Sequence, residues 1–240
     1  MPAASVSGRP QRVLLFIHSL HGGGAERVAA DLSAHWASEG SEVMVVTQAS
    51  ADGDVYALHP KVRREVLHTA GEGGGLRGIW SNVQRVRALR RVIKAFRPDI
   101  VLGMMTTASV LSVLACTGLS CRVVATEHTH PPSQTLSGFW QRLRRMTYPR
   151  AAGVVALTRG TADWLDRHVP GCRLAVIPNP LPAPLLDAPR VRQREDGPRE
   201  LLAMGRLVTD KQFDLLIDVF ARLAPDFPDW NLRIWGEGPE

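Results

Sequence analysis

Two segments hold the residue types best able to do chemistry. The first, HSLHGGGAER over residues 18–27, sets three consecutive glycines, Gly22, Gly23 and Gly24, where an apolar run ends and a helical pattern begins. Glycines let a backbone approach a ligand closely, and a helix amino terminus offers free N–H groups and the positive end of its dipole. A phosphate or an acceptor hydroxyl could dock there. The segment is not GxGxxG, because the glycines are contiguous and Arg27 stands where the pattern would end, and it lacks the GK[ST] ending of a P-loop. The second, GRLVTDKQFDLLI over residues 205–217, again joins a strand-like run to a helical one. Arg206 and Lys211 lie on that one connection, so a forked guanidinium and an ammonium could grip a diphosphate and stabilise charge on it as it departs. The plain alternatives are a turn serving only chain reversal and a pair of solvated surface cations. The histidine pairs His18/His21 and His128/His130 lack a nearby set of Cys or carboxylate ligands beyond Glu127, so no metal is expected.

Those segments need elements to hold them. Residues 13–17 are a short apolar run bounded by the glycine turn, as a buried strand would be. Residues 25–39 carry Val28, Ala29, Leu32, His35 and Trp36 at helical spacing, stop at Gly40, and lead to a second apolar run at 43–47. Helices are expected again at 78–96, 108–119 and 161–168, and strands at 100–104, 122–126, 154–157 and 174–177. Such alternation predicts an α/β fold, a parallel sheet clothed by helices. Both chemistry-bearing segments then fall at the carboxyl ends of strands, where such sheets bind ligands.

A first domain is expected over residues 1–178. Prolines 180, 182, 184, 189 and 198, with five charged residues at 190–196, predict a linker over residues 179–199. Residues 200–240 open a second α/β domain with a strand at 201–204, a helix at 213–223 and a strand at 232–235. About 40 residues cannot bury both faces of a parallel sheet, since domains run about 50–250, so the sequence reads as the front part of a longer protein.

With 240 residues, 45% apolar and 22% charged, the chain can bury a sizeable core. A net charge of +6 and a pI near 9.9 favour anionic partners. Aromatics are only 6% and no base-reading motif accompanies the arginines, so nucleic acid is not expected. Cys116, Cys121 and Cys172 form no CxxC pair and no even framework, which suits a reducing compartment. The run at 13–17 is far below the ~20 residues that span a bilayer, and no signal peptide is visible, so a cytoplasmic protein is expected. Between Arg77 and Arg97 stand Arg85, Arg87, Arg90, Arg91 and Lys94 with no acid, while Ile79, Val83, Val86, Leu89, Ile93 and Phe96 recur at helical spacing. That cationic side, with Arg142, Arg144 and Arg145, suits an anionic leaflet and predicts peripheral attachment to the inner face of the cell membrane; a solvated basic face is the alternative.

The segments HGGGAERV, VATEHTH, VVALTRGTADWL, VIPNPL, MGRLVTDKQFDLLIDVF and IWGEGPE stand in that order over nearly the whole chain. So arranged, they resemble family 4 glycosyltransferases of the GT-B fold. The resemblance implies two facing Rossmann-like domains, the N-terminal one holding the acceptor and the C-terminal one a nucleotide-sugar donor, a UDP-sugar foremost. It implies retaining transfer of a hexose or N-acetylhexosamine to a saccharide or lipid-linked acceptor in cell-surface polysaccharide synthesis. No metal or cofactor is implied, the nucleotide sugar being substrate.

By motif, Arg206 and Lys211 resemble the pair that grips the donor diphosphate, and Gly23 and Gly24 the loop that closes over donor phosphate and acceptor. His18, His21 and Gly22 fall on the acceptor side. Glu127 and His128 resemble the dyad beside the transferring sugar and, with Arg206 and Lys211, would carry catalysis. Gly236, Glu237 and Gly238 match the loop near the nucleotide. His128 follows a strand, where an imidazole can hydrogen-bond a sugar hydroxyl or phosphate; capping a turn beside Pro131 and Pro132 is its plain alternative. Family members continue past GEGPE into a segment with an E-x7-E pair that contacts the donor. The 240 residues alone are therefore expected to transfer little sugar. A non-catalytic nucleotide- or polyanion-binding module is the reading from another class.

Overall fold

A computed structural model describes residues 10–69, 71, 75–181 and 199–239. The chain divides into two compact units, Met1–Leu186 and Asp187–Glu240, a division that falls inside the expected linker. Most of that linker lies outside the described residues.

The first unit runs β1 (Arg12–Ile17), α1 (Gly24–Ser38), β2 (Glu42–Thr47), β3 (Arg63–Val66), α2 (Gly75–Phe96), β4 (Ile100–Met104), α3 (Met105–Cys116), β5 (Arg122–Glu127), α4 (Gly138–Thr147), β6 (Gly153–Ala156), α5 (Arg159–His168) and β7 (Leu174–Val176). Its seven strands form one sheet in the order β3-β2-β1-β4-β5-β6-β7, every pairing parallel. The order reverses between β1 and β4, which opens a crevice at their carboxyl ends.

Alternation along β1 divides the core. Leu14 and Phe16 face the cluster built with α2, α3, α4 and α5, whereas Val13, Leu15 and Ile17 face α1. Each such fully buried side chain contributes roughly 1.5–3 kcal/mol. α3 is apolar nearly all round because it is the middle helix, packed between α2 and α4 on the sheet. It lies so close to β4 that a Cβ on Gly103 would stand 2.5 Å from the Ser109 Cα. Ser109 Oγ closes the contact by donating to the Gly103 carbonyl at 2.8 Å and accepting from the Thr126 N–H at 3.2 Å. On the opposite face only α1 covers the sheet among the described residues, so β4, β5 and β6 there border a cavity of about 390 Å³.

Two elements escape the expected pattern. β3 is short, with half-exposed RREV alternating at the sheet's edge, and α4 is only ten residues long, with three arginines set among its apolar side chains. α3 starts at Met105, three residues before the expected start, because Met105 adopts a left-handed φ of 69° and turns the chain straight from strand into helix.

The second unit contains β8 (Arg199–Met204), α6 (Phe213–Leu223) and β9 (Trp230–Trp235), with β8 and β9 paired in parallel.

Candidate functional site

The loop after β1 keeps its expected glycines. Gly22 has φ of 109°, a left-handed conformation that excludes most other residues. Gly23 is the N-cap of α1, and no side-chain cap bond is made there. Glu26 folds back instead: its Oε2 would lie 2.4 Å from a Cβ on Gly23, so the protein's own carboxylate occupies the positive end of α1. An anion docking at this terminus has to displace Glu26, a residue the sequence reading passed over. His21 Nε2 donates to the Ser50 carbonyl at 3.0 Å, and its ring lies against Gly53, where a Cβ would come within 3.1 Å. The ring is thus held by the loop after β2. His18 is exposed at the end of β1, and its carbonyl accepts from the N–H groups of Gln48 and Ala49.

At the end of β5 the expected pair separates into two roles. Glu127 is 1% exposed. Tyr148 Oη donates to its Oε1 at 2.5 Å, Thr106 Oγ1 to its Oε2 at 2.8 Å and Gln134 Nε2 to its Oε2 at 3.1 Å, while Arg144 Nη1 stands 3.7 Å from Oε1. A carboxylate so enclosed cannot touch a substrate, which corrects the expectation that Glu127 is catalytic. Its work is to tie α3, α4 and the segment from His128 to Gln134 to the end of β5. The Tyr148 hydroxyl is held well above its ordinary pKa, first by burial and then by Glu127, so it stays a proton donor.

Arg144 is likewise misplaced by the sequence reading. It is 3% exposed, its guanidinium lies 4.9 Å over the Trp164 ring and donates to Gln134 Oε1 at 3.2 Å, so it leaves the expected surface patch for the interior. Nothing in FWQRLRRM distinguishes Arg144 from Arg142 and Arg145 except a helical phase that only the fold reveals. Thr106, Gln134 and Tyr148 carried no sequence signal because their role depends on contacts across 21, 7 and 21 positions.

His128 faces the cavity. Thr126 Oγ1 spends its one proton on the Gly103 carbonyl at 3.0 Å, so at 3.0 Å it accepts from His128 Nε2–H. That assigns the tautomer: Nδ1 carries the lone pair, and it is buried with no partner. Burial lowers the pKa to about 4, leaving the ring neutral near pH 7. The ring borders the cavity, but its Nδ1 lone pair is covered in this conformation. The expected donation to a phosphate is not open to this form. Two residues on, His130 Nδ1 bonds Thr161 Oγ1 at 3.2 Å, and Thr158 caps the same helix start by accepting from the Thr161 N–H.

Within the second unit, Gly205 N–H donates to the Trp235 carbonyl at 3.0 Å and Leu207 N–H to the Glu237 carbonyl at 2.9 Å. The loops after β8 and β9 thus run side by side. A Cβ on Gly236 would lie 1.8 Å from the Gly205 oxygen, and one on Gly238 would lie 1.9 Å from the Leu207 oxygen, so glycine alone fits. The Lys211 stem packs over Gly205, 3.9 Å from where a Cβ would stand. Arg206 and Lys211 are both exposed, and among the described residues neither forms an ion pair. Gln212, left-handed at φ 53°, then starts α6. Glu127 and His128 belong to the first unit, Arg206 and Lys211 to the second. Among the described residues no group of three or more His, Cys, Asp or Glu could hold a metal.

The sequence profile of Glycosyltransferase Family 4 matches residues 22–183. An exopolysaccharide phosphotransferase of Streptomyces coelicolor is 35% identical over 162 residues, 67% of this chain and 16% of that protein. A Campylobacter jejuni α-1,4-N-acetyl-D-galactosaminyltransferase, named for a diNAcBac-PP-undecaprenol-linked substrate, is 24% identical over 167 residues, 70% of this chain and 46% of that protein. The chain thus spans less than half the length of either curated relative. Among solved structures, sucrose-phosphate synthase of Thermosynechococcus elongatus matches with a TM-score of 0.73 at 16% identity, over 94% of this chain and 62% of that one. HepE of Anabaena, solved with UDP and glucose, matches with a TM-score of 0.69 at 17% identity, over 95% of this chain and 61% of that one. These likenesses show the expected α/β fold of the GT-B type.

Proposed function

Because the chain belongs to Glycosyltransferase Family 4, we propose that it is the acceptor-binding domain and the first part of the donor-binding domain of a retaining, metal-independent glycosyltransferase. The donor is a nucleoside-diphosphate hexose or N-acetylhexosamine, and the acceptor a saccharide hydroxyl, lipid-linked, in cell-surface polysaccharide synthesis. The UDP held by the Anabaena structure favours a uridine nucleotide, and the name of the Campylobacter relative favours a polyprenyl-diphosphate acceptor. The Streptomyces relative is named for phosphoryl transfer, but the match covers 16% of it, so that activity can reside elsewhere in that protein.

The observation that carries the reading is His128, a neutral, half-buried imidazole that borders the cavity at the carboxyl edge of β5. A sugar hydroxyl bonded to this neutral ring would be oriented without adding a further positive charge to the reacting centre. The bond from the anomeric carbon to the diphosphate breaks, and the acceptor oxygen forms the new bond and gives its proton to the departing diphosphate. Arg206 and Lys211 would stabilise the charge on that leaving group. Glu127 serves as a positioning residue behind His128.

Calorimetry of the 240-residue chain with UDP tests this. Arg206→Ala and Lys211→Ala are each expected to weaken binding by roughly 10-fold or more, since a hydrogen bond to a charged group contributes about 1.5–3 kcal/mol. Equal affinity for UDP and a single-stranded oligonucleotide, unmoved by either substitution, would favour the polyanion-binding module instead.

Peripheral attachment to an anionic membrane is the second part of the proposal. Arg87, Arg91 and Lys94 are exposed on α2, as are Arg142 and Arg145 on α4 beside Phe139 and Met146, and both helices flank α3 on one face.

A further inference from the structure

The cysteines are chemistry-bearing side chains that the candidate site does not use. Cys116 closes α3 and Cys121 stands one residue before β5, so both lie at the amino-terminal edge of the sheet. His128 lies at the opposite edge, about 20 Å away along β5. Gly118, at φ 73°, turns the short segment between the two cysteines back on itself. Cys116 is buried and Cys121 half-buried against the same apolar cluster, and the two thiols are close enough to perturb one another. Arg90 fixes a cation beside them: its Nη1 donates to the carbonyls of Ala115 at 2.6 Å and Thr117 at 2.8 Å, on either side of Cys116.

These contacts make the pair unequal. The hydrogen bond from Cys116 pulls the Cys121 thiol down to about 7, partial burial opposes it, and Arg90 adds in the same downward direction. The same bond, and then burial, push Cys116 up. Cys172 has no such arrangement, and burial followed by Asp166 raises it to about 11.

We propose that Cys116 and Cys121 form a reversible modification site for hydroperoxides, with Cys121 the attacking thiolate and Cys116 the resolving thiol. The Cys121 thiolate attacks one peroxide oxygen. The O–O bond breaks, an S–O bond forms, and the alkoxide or hydroxide leaves and takes a proton from water. The Cys116 sulfur then attacks the sulfenic sulfur; an S–S bond forms, the S–O bond breaks, and the thiol proton leaves with the hydroxyl as water. Two thiols lose two electrons and the peroxide gains them. A small dithiol reverses the change.

Residues 98–121 contain no Lys or Arg, so one tryptic peptide carries both cysteines. After mild hydrogen peroxide that peptide is expected to lose two hydrogens, and dithiothreitol to restore them, while Cys172 stays a free thiol. In Cys116→Ala, Cys121 is expected to be trapped by dimedone as the sulfenic acid. Iodoacetamide should half-label Cys121 near pH 7 in the parent chain and at clearly higher pH in Cys116→Ala, with a smaller shift in the same direction in Arg90→Gln. If Cys116→Ala fails to fold, Cys116→Ser keeps the size of the side chain and still removes the resolving thiol, so dimedone capture is read there. Oxidation of Cys172 before Cys121, or a folded parent chain that never forms the internal disulfide, overturns the proposal. So does an alkylation profile left unmoved by both substitutions.

Discussion

At the scale of single residues, His128 makes the sharpest claim. Its folded pKa of about 4 lies below the ordinary 6.5, because burial disfavours the charged ring. Below pH 6.5 the unfolded chain takes up a proton that the folded chain refuses. The contribution to stability is therefore complete above pH 6.5 and is lost progressively as pH falls to about 4. Urea unfolding at stepped pH should show this loss in the parent chain and a shallower slope in His128→Gln, and the ring should titrate near pH 4 by NMR. A ring that titrates near 6.5 would falsify the desolvated setting of His128. The sequence placed His128 correctly at the end of a strand, because apolar runs mark strand ends. It could not show the tautomer, which rests on a hydroxyl already committed to Gly103, nor that Glu127 turns inward while its neighbour turns toward the cavity.

At the scale of elements, the parallel strands other than β3 were legible because each is a short apolar run, and α1 and α2 because their apolar faces recur at helical spacing. The contacts between elements were not. Gly103 sits in the middle of a strand and looks in sequence like a weak point, yet the fold needs it, since backbone atoms of α3 fill the place of its side chain. Gly103→Ala is expected to destabilise the chain by about 3 kcal/mol, the upper part of the range for overpacking, because the obstacle is the Ser109 backbone and not a flexible side chain. Gly138→Ala, at the exposed first residue of α4 with nothing within 4 Å of its Cβ position, serves as the control and should be neutral or slightly stabilising. Urea midpoints within error of one another for the two variants would remove the close approach of α3 to β4 as an organising contact.

At the scale of the whole molecule, charge and apolar surface decide what the protein meets. In the second unit Leu202, Leu215, Ile217 and Trp235 are all more than half exposed, because among the described residues one helix on two strands leaves the opposite faces bare. In the first unit the exposed apolar side chains Phe139 and Met146 stand among arginines on α4, and Trp80 lies beneath Arg87 on α2. Apolar surface mixed with cations suits an anionic headgroup layer, and among the described residues no helix is long and apolar enough to cross it. The chain is expected to float with vesicles containing anionic lipid and to stay behind with purely zwitterionic ones. Each Arg near such a surface contributes ~1 kcal/mol, so Arg142→Gln with Arg145→Gln should weaken binding roughly 30-fold, and raised salt should have the same direction of effect. Arg144→Gln should act differently, lowering stability through the lost contact with Glu127 before it touches membrane affinity. If the double substitution leaves flotation unchanged, the basic face is merely solvated and the acceptor's lipid has to be met elsewhere on the protein.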